Sequence, residues 1–347
     1  MSSGQTPGIS LAVWRGGTDI LSRNAGLANL SPANRVAGDS VFRVGSLTKQ
    51  FVGALTLKLE SLGKLSLAAP ARAYLPFLAA HEPFTVLELL NHTAGVRDGD
   101  YDTSTLQTRS QIEQARRIAQ QQPFFDFAPG SAWLYSNANY ILVGAIIEQV
   151  TGTSLAEAAA TLLFGPLGLH DTAFDSVSDV VPGRANGYTP GDRPGRAFVD
   201  ADYLDVSLAG AAGAMRSTAA DLRRWQRALF QGQAVSPALA AKMIEPGRLR
   251  NGQLASTHRH SDNDRAMGDT QYGLGLMLDT STIDGSLIAH HHGGINGFAS
   301  YLATHVPSGL GLACLCNVDT HPGLPFRDIR RIVFREFLQP PPRSSRR

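Results

Sequence analysis

Strand-length runs gather at the two ends of this 347-residue chain, with a long helical stretch between them. Residues 9–14 and 18–22 are short β-rich runs parted by Gly16-Gly17, which reads as a hairpin opening a sheet. Residues 272–278, 287–292, 298–305 and 310–318 alternate or run apolar over strand lengths. From Ser66 to about Gly268 strand signal is sparse, and helical periodicity runs through 86–90, 111–120, 138–151, 154–163 and 219–230. A last amphipathic stretch, 326–338, reads as a helix packed on the sheet. The pattern points to α/β plus all-α architecture: one sheet built from both ends of the chain, with a helical insertion. The expected sheet domain takes 1–65 and 269–347 and the insertion domain 66–268, with an active site in the cleft between them. No internal repeat interrupts this order.

Composition narrows the function. An apolar fraction of 43% and a charged fraction of 17% describe a globular chain long enough to bury a large core. A net charge of +2 argues against a nucleic acid or a membrane surface as partner, and leaves a small-molecule or peptide substrate. The basic cluster at 343–347 follows Pro340, Pro341 and Pro342 and reads as a solvated tail. Cys314 and Cys316, two apart in a strand, point to one face and read as core filler rather than a disulfide or a zinc site. No apolar run approaches the roughly 20 residues that span a bilayer. The segment from Met1 to Gln5 lacks the basic and apolar regions of a secretory signal, which fits a cytosolic chain or one whose leader has been removed.

The chemistry begins at Ser46-Leu47-Thr48-Lys49. Residues 49–62 carry apolar side chains at helical spacing (Phe51, Val52, Leu55, Leu59, Leu62) and stop at Gly63, so Ser46 lies at the start of a buried helix. A serine hydroxyl needs a base within reach, and residues three apart on a helix share a face, so Lys49 can supply it. Tyr135-Ser136-Asn137 precedes the helical run 140–150. It either presents polar side chains into a cleft or is a capping turn with Ser136 or Asn137 as the cap. In the first case a neighbouring ammonium such as Lys49 would lower the Tyr135 pKa and let it relay a proton, while Asn137 fixes the lysine and donates to a substrate carbonyl. His291-His292-Gly293-Gly294 ends a strand; alternation places His291 and Gly293 on one face and His290 and His292 on the other. The N–H of Gly294 can join that of Ser46 in an oxyanion hole. Because the histidines diverge, and no carboxylate or cysteine sits at ligand spacing, no metal is expected.

Ser46-x-x-Lys49, Tyr135-x-Asn137 and His291-x-Gly293 resemble, in order and separation, the three active-site motifs of the serine β-lactamase and penicillin-binding superfamily. The tyrosine of the second motif is similar to that of class C β-lactamases, D-alanyl-D-alanine carboxypeptidases, D-aminopeptidases and β-lactamase-like esterases. Further likeness lies in Phe42-Arg43-Val44-Gly45, Leu89-Leu90-Asn91-His92-Thr93-Ala94-Gly95, Gly165-Pro166-Leu167-Gly168-Leu169 and Tyr272-Gly273-Leu274-Gly275. The resemblance implies the β-lactamase-like fold, an antiparallel sheet flanked by helices with an inserted helical domain. It implies an acyl-enzyme on Ser46, activated by Lys49 and Tyr135, with Asn137, His291, Gly293 and Gly294 binding substrate and no metal or organic cofactor.

Two departures from the family pattern shape the expected activity. The third motif commonly begins with lysine, whereas His291 is largely neutral at pH 7, so carboxylate-bearing β-lactams are expected to be poor substrates. D-aminopeptidases and some related esterases carry histidine there, which favours a D-amino-acid peptide or amide, or a small ester. A slow-deacylating penicillin-binding or sensor protein and a true class C-type β-lactamase are the alternatives. The family usually has a helix ahead of its first strand, where here only the first eight residues precede Ile9, the pattern expected of a truncated chain or of one without that helix. Asn91, His92, Thr93, Arg97 and Asp98 either line the cleft entrance or form a loop fixed by local hydrogen bonds, the reading favoured here, and 256–269, with His258 and His260, reads as a surface loop. Asp98, Asp100 and Asp102 resemble a calcium loop without its later glycine and glutamate, so calcium is not expected.

Overall fold

The computed structural model describes residues 4–99, 107–193 and 196–338; Asp100, Asp102 and the proline- and arginine-rich residues 340–347 lie outside them. Eight strands form one antiparallel sheet: β1 (Gly8–Arg15), β2 (Thr18–Leu30), β3 (Ala33–Arg35), β4 (Gln271–Tyr272), β5 (Met277–Thr280), β6 (Leu287–Ile295), β7 (Phe298–His305) and β8 (Leu310–Cys316). Their spatial order is β3-β2-β1-β8-β7-β6-β5-β4. The two ends of the chain therefore meet in the centre, where β1 pairs with β8 from Ile9 opposite Cys316 to Arg15 opposite Leu310. The run read as one strand over 272–278 is two short ones. Residues 273–276 leave the ladder because Gly273 N–H bonds the Leu276 carbonyl and Leu274 N–H bonds the Met243 carbonyl.

Alternation along the central strands gives the sheet two buried faces. One face, with Ala12, Trp14, Leu302, Ala313 and Leu315, packs on the helical layer around α1 (Thr48–Ser61). The other, with Val13, Tyr301, Leu312, Cys314 and Cys316, is covered by Val333 and Phe334 of the last helix, Phe326–Leu338. Both cysteines are free and buried. Helix α1 is enclosed along nearly its whole length, including the polar Thr48, Lys49, Gln50 and Thr56, while Leu62 just beyond it is 55% exposed. Phe51 stacks on Trp225 with ring centroids 4.1 Å apart. A second long helix, α2 (Asn137–Thr151), is equally apolar and ends at Gly152 in the left-handed region that glycine adopts without strain.

The middle of the chain holds more strand than its sequence suggests. Phe42–Arg43, Ala173–Phe174 and Met215–Ser217 make a three-stranded sheet, and Tyr188–Arg193 with Arg196–Asp200 makes a hairpin hidden by its Pro190-Gly191. The fully buried Asp175 carboxylate accepts from Arg43, Arg184 and Arg216, which ties the segment leading into Ser46 to residues 175–216. The stretch 256–269 is largely exposed, as a surface loop would be, but Arg259 and Asp264 anchor it by burial. It contains the short helix Asp262–Arg265, and the Arg259 guanidinium is buried over the Trp133 ring, 4.6 Å from its centroid. Among the described residues, no helix is long and apolar enough to cross a membrane.

Candidate active site

Ser46 sits in a 3-10 turn, Gly45–Leu47, that feeds directly into α1. Four hydrogen bonds hold this turn. Val44 N–H donates to the Met215 carbonyl at 2.9 Å and Ser300 Oγ to the Val44 carbonyl at 2.8 Å. Thr48 Oγ1 donates to the Gly45 carbonyl at 2.7 Å and accepts from Met215 N–H at 3.2 Å. Strand β6 runs against the turn with no room for side chains. Gly45 has φ +51°, and a Cβ on it would stand 2.8 Å from the Gly294 nitrogen. A Cβ on Gly293 would collide with the Val44 carbonyl oxygen and stand 3.0 Å from the Ser46 nitrogen. This close approach brings Gly294 and Ser46 to the wall of one cavity.

Lys49 is fully buried one turn along α1. Its Nζ donates to Ser46 Oγ at 3.2 Å, Asn137 Oδ1 at 2.9 Å and the Ala212 carbonyl at 2.7 Å. Burial lowers its pKa from 10.5 to about 7, with the Asp98 carboxylate opposing the fall. In the neutral amine the two shorter contacts, both to pure acceptors, take the two N–H groups. The lone pair is then left for the Ser46 hydroxyl. The ammonium also lies 4.8 Å from the Tyr135 ring centroid and 5.4 Å from that of Tyr140.

Tyr135 shares a hydrogen bond with Ser46, but its pKa moves up, not down. Burial outweighs the hydrogen bond, and the Asp98 charge adds to the rise, so the phenol stays protonated at neutral pH. His291 lies behind Tyr135, fully buried, and is not among the described residues that line the cavity. Its Nδ1 is 2.6 Å from the His292 carbonyl oxygen and therefore carries the proton, and its Nε2, 3.1 Å from Tyr272, accepts that hydroxyl. Burial first, then the nearby His292 and Lys49, hold the His291 pKa well below 6.5, so the ring is neutral.

Neither Ser136 nor Asn137 caps α2. Ser136 occupies the capping position without a side-chain cap bond, and the acceptor for Ala138 N–H is Asp98 Oδ1 at 2.9 Å. Asp98 Oδ2 also accepts from Asn137 Nδ2 at 3.1 Å. Asp98 thus bonds into the site through Asn137 rather than closing a self-contained loop, nearer to the cleft-lining alternative than to the favoured local-loop reading. The expected local bonds exist upstream, where Asn91 Oδ1 accepts from Thr93 N–H and Oγ1. His92, with φ +65°, is buried against Tyr135, Tyr140 and Tyr272, and its Nδ1 accepts from Ser136 N–H. Tyr272 stood in the family-like run 272–275 without a role, while Tyr140 and the Ala212 carbonyl gave no signal in the sequence; a backbone acceptor leaves no residue-type mark.

The cavity over Ser46 measures about 220 Å³. Ser46, Tyr135, Asn137 and Gly294 give it a polar floor, and Leu204, Leu208, Ala212 and Ile295 give it apolar walls. Among the described residues lining it there is no lysine, arginine or histidine.

The family model described as Beta-lactamase matches residues 1–335. A penicillin-binding protein of Bacillus subtilis is 27% identical over 320 residues, 87% of this chain and 66% of that protein. Esterase EstB of Burkholderia gladioli is 35% identical over 188 residues, 49% of this chain and 47% of its own length, so the match leaves at least a third of each of these two proteins uncovered. The crystal structure of a D-stereospecific amidohydrolase from Streptomyces sp. superimposes with a TM-score of 0.77 at 28% identity, covering 96% of this chain and 94% of that one.

Proposed function

The chain belongs to the Beta-lactamase family, and on that premise we propose that it is a serine hydrolase cleaving amide, peptide or ester bonds through an acyl-enzyme on Ser46. The observation that carries this reading is the Lys49 amine, buried to a pKa of about 7 and 3.2 Å from Ser46 Oγ. Neutral Lys49 takes the Ser46 proton as Oγ bonds the substrate carbonyl carbon. The oxyanion is held by the Ser46 and Gly294 N–H groups. As the carbonyl reforms, the bond to the leaving group breaks, and that group takes a proton from the Tyr135 hydroxyl, which the Lys49 ammonium replaces. Water then attacks the acyl-enzyme, giving its proton to Lys49 by the same route in reverse, and Ser46 leaves reprotonated. Asn137 holds Lys49 and flanks the acyl group; Gly293 lets β6 approach, and His291 acts through the Tyr272 hydroxyl.

The substrate we infer is a D-amino-acid peptide or amide, or a small ester. Small volume and uncharged, largely apolar walls suit a compact neutral acyl group. A neutral His291 outside the cavity offers no cation to a carboxylate, which makes β-lactam hydrolysis weak at most. The likeness to the amidohydrolase and the esterase supports the same classes. The test is a panel of D-amino-acid p-nitroanilides, short-chain p-nitrophenyl esters and nitrocefin, run with wild type and Ser46→Ala. Sustained turnover of an amide or ester that Ser46→Ala abolishes is the expected result; turnover that survives the substitution would sink the nucleophile assignment. The likeness to a penicillin-binding protein over 87% of the chain favours a second reading, slow deacylation. A single stoichiometric burst with no steady state would establish that instead.

A further inference from the structure

The Asn137 amide is gripped at both ends. Its Oδ1 accepts from Lys49 Nζ at 2.9 Å and its Nδ2 donates to Asp98 Oδ2 at 3.1 Å. Turned over, the amide would set its NH2 against an ammonium and its oxygen against a carboxylate. Asp98 therefore dictates which way Asn137 faces, and with it the acceptor that Lys49 meets. The other Asp98 oxygen is taken by Ala138 N–H at the start of α2, which fixes the carboxylate in place.

Among the described residues around Lys49, the groups other than Asp98 supply no negative charge. Ser46 shares its own turn, Tyr135 and Tyr140 come from the preceding loop and α2, His92 from the loop before Thr93, and His291 and His292 from β6. The tyrosines Tyr135, Tyr140 and Tyr272 are all shifted upward and stay neutral. Among the described residues, Asp98 is the anion that opposes the desolvation of Lys49.

We propose that Asp98 is a positioning residue for the serine–lysine pair: through the Asn137 amide it aims the Lys49 amine at Ser46, and its charge sets how readily that amine takes the proton. The proposal rests on the reading of Ser46 as nucleophile and Lys49 as base. Asparagine at position 98 would keep the shape but offer one acceptor where two are needed, so its own NH2 would face either Ala138 N–H or Asn137 Nδ2. Asn137 would then be free to turn over, and Lys49 would lose its countercharge, which lowers its pKa further.

The experiment measures the rate at which a fluorophosphonate labels Ser46 between pH 5 and 9 in wild type, Asp98→Asn and Asp98→Ser, with thermal unfolding of each. Wild-type labelling should rise through about pH 7 as Lys49 loses its proton. In both variants the acid limb should move down by roughly half a unit or more, with plateau labelling lower by roughly tenfold or more. Asparagine keeps one side-chain acceptor for the Ala138 N–H, so the unfolding temperature of Asp98→Asn should change little. Should Asp98→Asn not fold, Asp98→Ser carries the comparison. A moved limb supports the proposal; variant limbs that overlay the wild-type one overturn it and leave Asp98 as a helix cap only, whatever the unfolding temperatures. A wild type that is not labelled at Ser46 overturns the nucleophile reading beneath it, a result distinct from overlaid limbs.

Discussion

Lys49 is a destabilised residue kept for its chemistry. Its ordinary pKa is 10.5 and its folded one about 7, so between those pH values the unfolded chain binds the proton that the folded chain has lost. Folded stability should therefore rise with pH across that window, by roughly 3–5 kcal/mol if the whole shift is expressed. The comparison that isolates this lysine is wild type against Lys49→Met in denaturant unfolding at pH 7, 8, 9 and 9.5. Wild type should gain stability relative to the variant as pH rises; a constant difference between the two would refute the buried-amine account. At this scale the serine–lysine pair was legible because three residues of helix suffice to join them. What fixes the amine was not, since its acceptors Asn137 and Ala212 lie 88 and 163 residues away.

Two elements make the oxyanion side of the site: the turn that carries Ser46 and the strand β6 laid against it. Their fit depends on Gly45 and Gly293, where any Cβ strikes the opposite backbone. Gly293→Ala should push β6 off the turn and spoil the pairing of the Ser46 and Gly294 N–H groups. We expect kcat to fall by roughly 10²–10³-fold, the cost of losing one oxyanion donor, while the protein stays folded. Steady-state kinetics beside circular dichroism tests this, and a wild-type kcat would contradict it. Helix α1, Gln111–Gln120, Ala219–Phe230 and the last helix follow the periodicity of their sequences closely. The split of 272–278 and the hairpin beginning at Tyr188 do not, because bonds to Met243 and a proline-glycine pair override the local pattern.

His92 beside Tyr135, and His291 and His290 on opposite faces of β6, are buried neutral imidazoles. Burial lowers the pKa of each below 6.5. The unfolded chain then binds more protons than the folded one below about pH 6.5, so stability should fall as pH drops through that range. Urea midpoints at pH 7.5 and pH 5 measure the loss. His92→Asn, which suits a left-handed backbone, should shrink the difference between the two pH values. Equal midpoints for wild type at the two pH values would rule out the three neutral histidines as a source of acid lability. The sheet that holds His290 and His291 has its first strand at its centre, paired with its last, so both ends of the chain are needed to build it.

Local spacing determined which side chains can act: Ser46 and Lys49 on one turn, Tyr135 and Asn137 around a helix start, Gly293 and Gly294 on one strand. Alternation and helical period likewise settled which segments are strands and which are helices wherever the pattern ran unbroken. The states of those side chains were decided only by tertiary packing. Burial brings the Lys49 pKa down to about 7, holds His291 neutral and keeps Tyr135 protonated, and the Asp98 carboxylate, 40 residues from the helix it caps, orients Asn137. Desolvation and long-range charge depend on what surrounds a group in three dimensions, and a sequence window contains neither.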